Sequence, residues 1–66
     1  MNLIEGLQAQ IARCQGIQAA CLEIGDGGRF LYRMLAASIH EAQRAIDSGD
    51  VVKMVQAMKD LEGYSE

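Results

Sequence analysis

The chain has 66 residues, nine acidic against six basic, a formal charge of −3 and an isoelectric point near 4.9. So acidic a balance disfavours a DNA-binding role, whose electrostatic footprint is basic. So short a length leaves room for one domain, residues 1–66, with a marginal core, because a domain of this size buries only about 60% of its unfolded surface.

Small domains usually make up that deficit with disulfides, metals or partner subunits. Cys14 and Cys21 lie seven residues apart on one expected helix, which puts their Cα atoms roughly 10 Å apart, beyond disulfide reach. One histidine and two cysteines at that spacing supply no zinc ligand set. A partner subunit is the remaining device, so a homo-oligomer, a dimer or higher, is expected, with no cofactor or metal. The amino-terminal stretch lacks the basic region and long apolar run of a signal peptide, and nothing approaches the roughly 20 apolar residues of a membrane span. A cytoplasmic protein with reduced thiols and no membrane partner is expected.

Proline is absent and Ala, Gln, Leu, Ile and Met abound, a composition that favours helix throughout. Two breaks, Gly25-Asp26-Gly27-Gly28 and Ser48-Gly49-Asp50, are built of residues that tolerate turns and cap helix ends. The expected fold is therefore all-α, a helical hairpin with a short third helix.

The first helix is expected from about Asn2, a suitable N-cap with Glu5 three residues on, to Ile24. Ile4, Leu7, Ile11, Cys14, Gln18 and Cys21 follow heptad-like spacing along it and form the expected oligomer seam. Leu3, Ile17, Leu22 and Ile24 widen that stripe, as suits a helix touching both its own hairpin and a second subunit.

The second helix is expected from about Gly28 to Asp47, its core face made by Leu31, Met34, Leu35, Ser38, Ile39, Ala42, Ala45 and Ile46. Opposite lie Arg29, Arg33, His40 and Arg44, within about 60° of one another on the helix wheel. They include three of the six basic residues and the sole histidine. A solvated face is the plain reading of such a stripe. Its nearly single sign and its start at a helix N-terminus favour instead an anion site, since free amides and the helix dipole attract negative charge there. In that reading Gly27 and Gly28 supply amides, Arg29, Arg33 and Arg44 hold phosphates or carboxylates through forked contacts, and Tyr32 or His40 meets a base. The glycine cluster lacks the lysine-serine/threonine ending of a P-loop and a strand before it.

Asp50 is a good N-cap for a third helix whose face is Val51, Met54, Val55, Met58 and Leu61, with Gly63 at its C-terminal cap and Tyr64 folding back. Asp60 and Glu62 oppose the helix dipole there, which predicts a frayed last turn. Catalysis finds little support, since both cysteines fall on a core face and His40 has no orienting carboxylate. The chain is not expected to be an enzyme.

From Glu23 onward the chain resembles a group of very short, uncharacterised proteins encoded by bacteriophages and prophages. Glu23-Ile24-Gly25, Gly28, Phe30, Ala42, Ala45-Ile46, Ser48-Gly49-Asp50 and Met54 carry the resemblance, which covers about two-thirds of the chain. Members of the group often have a proline and an alanine where this chain has Asp26 and Gly27, so the glycine-rich start is particular to it. The resemblance implies a phage-type inhibitor of a host defence system, working in the host cytoplasm by stoichiometric binding of one host component, such as a nuclease complex, a regulator or a signalling nucleotide; joined to the basic stripe, it favours an anionic nucleotide signal. Two alternatives stay open: an effector that blocks a host protein, and a structural oligomerisation module without a ligand.

Overall fold

A computed structural model of the chain describes residues 2–64. It contains three helices, α1 (Leu3–Ile24), α2 (Asp26–Ser48) and α3 (Val51–Glu62), each packed on the other two in a body of 35 × 19 × 16 Å. The all-α expectation holds for the described residues.

Local chemistry explains each boundary. Asn2 starts α1 by accepting a hydrogen bond from the Glu5 amide at 2.8 Å, and Asp50 starts α3 by accepting from the Lys53 amide at 3.2 Å. Both fill acceptor roles that a helix N-terminus leaves open. Gly25 and Gly49 end α1 and α2 with φ of 81° and 71°, the left-handed region that glycine enters without a Cβ penalty.

The turn between α1 and α2 is tighter than expected. Gly25 alone makes it, and Asp26, Gly27 and Gly28 already belong to the first turn of α2. The reason is steric: Gly28 is buried, and a Cβ there would overlap the Cys21 carbonyl oxygen and lie 3.0 Å from the Cys21 Cα. The bare Gly28 lets the two helices meet backbone to backbone directly after the turn.

One core joins the three helices, formed by Leu7, Ile11, Cys14, Ile17 and Cys21 from α1, Leu35, Ile39, Ala42 and Ala45 from α2, and Met54, Ala57 and Leu61 from α3. Four of the six residues expected at an oligomer seam belong to it. Leu7, Ile11, Cys14 and Cys21 are spent on the chain's own core, because a third helix packs where a second subunit was expected. Gln18 is half-buried and donates to the Tyr32 carbonyl at 3.3 Å, and Ile4 alone of the six stands exposed. Met34, Val51 and Val55, expected in the core, are exposed as well. Ala57 takes the inward place on α3.

The end of α3 is held by a side chain from α1. Arg13 donates to the Leu61 carbonyl at 2.7 Å and the Tyr64 carbonyl at 2.9 Å, while its Nε donates to Gln10 at 2.9 Å. A guanidinium here satisfies orphan carbonyls and offsets the negative end of the helix dipole. With Lys59 in the last turn, it sets positive charge against Asp60 and Glu62, the carboxylates that predict fraying there. Gly63 stays right-handed, at φ −70°, rather than forming a left-handed cap. Tyr64 does fold back, its hydroxyl 2.9 Å from that of Ser38 on α2.

Two expectations follow for unfolding experiments. Gly28→Ala should lower stability by about 1–3 kcal/mol, since the clash is with backbone that cannot yield, whereas Gly16→Ala, on α1 with nothing within 4 Å, should raise it by about 0.5–1 kcal/mol; urea midpoints of the two variants should move in opposite directions. Arg13→Ala should cost about 1–3 kcal/mol through the carbonyls it strands, with amide exchange quickening in α3 ahead of α2.

Candidate functional site

The basic stripe starts from helical periodicity, and the structure keeps it on one exposed side of α2: Arg29, Arg33, His40 and Arg44 are all exposed. Its members are not all brought together. A rise of 1.5 Å per residue carries His40 about 10 Å and Arg44 about 17 Å beyond Arg33. Arg44 lines a separate groove of about 450 Å³ between α2 and α3, beside Glu41, Lys53 and Asp60, and sits 3.9 Å from the Glu41 carboxylate. His40 lines neither that groove nor the one at the hairpin tip. The seven-residue ligand set therefore does not form one site within a single chain.

What the fold does assemble is an open groove of about 440 Å³ where α1 turns into α2, lined by Cys21, Leu22, Gly25, Asp26, Arg29, Tyr32 and Arg33. Arg29 and Arg33, four residues apart, share one helix face. Tyr32 is half-buried, its backbone carbonyl held by Gln18 from α1, and Leu22 adds an exposed apolar wall. The result combines two forked cations and an aromatic ring on the first turns of α2, whose positive dipole end adds to the same field, with an aliphatic side chain from the end of α1.

The glycines do not take the part expected of them. Gly28 has its amide bonded to the Gly25 carbonyl at 3.0 Å and its Cα pressed on Cys21, so it offers an anion nothing. Gly27 faces Ile24, whose Cγ2 lies 3.3 Å from the position of a Cβ, and it does not line the groove. Gly25 and Asp26 occupy the expected place instead, because the helix starts two residues early.

Asp26 is the residue that the sequence reading passed over. Its Oδ1 lies 3.0 Å from an Arg29 guanidinium nitrogen, with both side chains well exposed, so the groove carries its own carboxylate on one of its two arginines. Arg33 has no ionic partner within 4.0 Å among the described residues. The i,i+3 spacing of Asp26 and Arg29 signals the pair, once the helix is known to include Asp26. An exposed pair of this kind is worth well under 1 kcal/mol, so a competing anion displaces it at little cost.

Among the described residues, no three His, Cys, Asp or Glu side chains cluster closely enough to hold a metal ion. Both cysteines are free and buried. Burial pushes the Cys14 thiol above its ordinary value of 9.0; nearby Arg13 draws it back and Asp60 adds to the rise. The folded chain thus holds this proton more tightly than the unfolded chain. Its contribution to stability is complete below pH 9.0 and is lost as pH climbs through the raised value. Denaturant midpoints should accordingly fall more steeply above pH 9.0 for the natural chain than for Cys14→Ala, and native Cys14 should resist thiol reagents at neutral pH until urea is added.

No helix among the described residues is long and apolar enough to cross a membrane. In comparisons with known proteins, the chain matches no family model, no curated protein and no solved structure.

Proposed function

We propose that the protein acts by stoichiometric binding, without catalysis, as a cytoplasmic phage-type inhibitor of host defence that sequesters an anionic nucleotide signal. The observation that carries this reading is the gathering of Arg29, Tyr32 and Arg33 in one open groove at the start of α2. Arg33, without an ion pair of its own, makes the first phosphate contact. Arg29 joins it once the incoming anion replaces Asp26, and Tyr32 and Leu22 receive the base. Forked guanidinium contacts suit phosphate, and an aromatic ring beside them suits a planar group. His40 and Arg44 do not line this groove.

Isothermal titration against a panel of cyclic di- and trinucleotides tests the proposal. At least one should bind, with affinity falling about tenfold or more in Arg33→Ala, the loss of a charge-assisted hydrogen bond being worth about 1.5–3 kcal/mol. Asp26→Asn should bind more tightly than the natural chain, because the carboxylate that competes for Arg29 is gone. Absence of binding to every member of the panel would sink the nucleotide reading.

A further inference from the structure

The two long helices outrun the third. α1 and α2 have 22 and 23 residues and α3 has 12, so at 1.5 Å per residue α3 covers only about half of the hairpin. Its end is pinned at Arg13 and Ser38, which leaves the side of the hairpin from there to the Gly25 turn without a covering helix. On that stretch Gly27, Phe30 and Met34 follow i, i+3, i+7 spacing along one line of α2. Ile24 joins them, its Cγ2 lying 3.3 Å from the Cβ position of Gly27. Phe30 is 74% exposed, Ile24 67% and Met34 44%. An aromatic ring and two large aliphatic side chains open to water on one small face mark an interaction surface.

We propose that this face binds a second copy of the same chain, α2 against α2 and antiparallel, about a two-fold axis passing near Phe30. Charge complementarity selects that occupant. Asp26 and Arg33 flank the apolar line on one side, about 40–60° round the helix from Phe30, four residues before it and three after. A two-fold between antiparallel helices brings the same flank of each together, so Asp26 of each copy comes beside Arg33 of the other, at both ends of the Phe30 contact. Parallel packing would set this charged flank against the Gly27 and Met34 flank of the other copy, leaving neither charge a complement. A carboxylate accepts from two donors at once, so Asp26 can keep Arg29, while Arg33 gains a carboxylate partner that it lacks in the single chain and has further N–H groups to share. The inference does not depend on the nucleotide reading.

Sedimentation equilibrium of the full chain over a micromolar to millimolar dilution series tests it, with helicity by circular dichroism as the control for folding. The mass should rise from 7.2 kDa toward twice that value, and Phe30→Glu should stay monomeric with unchanged helicity. Arg33→Asp and Asp26→Arg should each weaken the dimer about tenfold or more, and the double swap should restore it. A monomer at every concentration, a Phe30→Glu dimer as strong as the natural one, or a double swap no better than the single variants would each overturn the proposal. None of these readings involves a ligand, so failure here is distinct from failure of the nucleotide titration.

Discussion

Everything in this fold depends on how closely α2 can approach α1 just after the turn. The chain reverses on a single residue, Gly25, and the next inward residue, Gly28, lies against the backbone of Cys21. A side chain at Gly28 would wedge the hairpin apart at its root and shift the register of every pair farther along. With the helices this close, the small inward residues Ala42 and Ala45 are large enough to fill the space near the other end. The shallow groove the hairpin presents is then the right shape for one short helix.

That helix takes up what the first helix had to offer. Leu7, Cys14 and Leu61 are fully buried, and Arg13, one residue from Cys14, reaches over to hold the end of α3. A marginal core is thereby closed within the chain and capped by side chains rather than by a second subunit. The same economy has a consequence at the far end. A 12-residue helix cannot cover a hairpin nearly twice its length, so the residues next to the turn keep their apolar and charged groups exposed. The groove of Arg29, Tyr32 and Arg33 and the proposed self-association face both lie at that end of α2.

Much of this was legible in the residues themselves. Asn2 and Asp50 announce helix starts because their carboxamide and carboxylate can accept from amides that a helix leaves unpaired. Gly25 and Gly49 announce ends because left-handed backbone excludes most side chains. The basic stripe on α2 follows from spacing alone. The extent of a usable site did not follow, since a helix wheel discards distance along the axis and so treats Arg29 and Arg44 as neighbours. The start of α2 was misplaced by two residues because a run of glycines favours a loop on local grounds. Packing against Cys21 overrides that preference, and with it Asp26 moves from a turn onto the groove.

Composition, periodicity and caps thus determined that the chain is helical, that it has three segments, and which side of each is apolar: these are properties of neighbours within a few residues. Only the tertiary structure decided which apolar side meets which. It turned the seam of α1 inward to α3, gave Arg13 a partner 48 residues away at Leu61, and left Phe30 in water although it is as hydrophobic as the residues inside. The physical reason is that burial is set by the lengths and crossing of whole helices. A side chain cannot report from its own neighbourhood whether another helix will reach it.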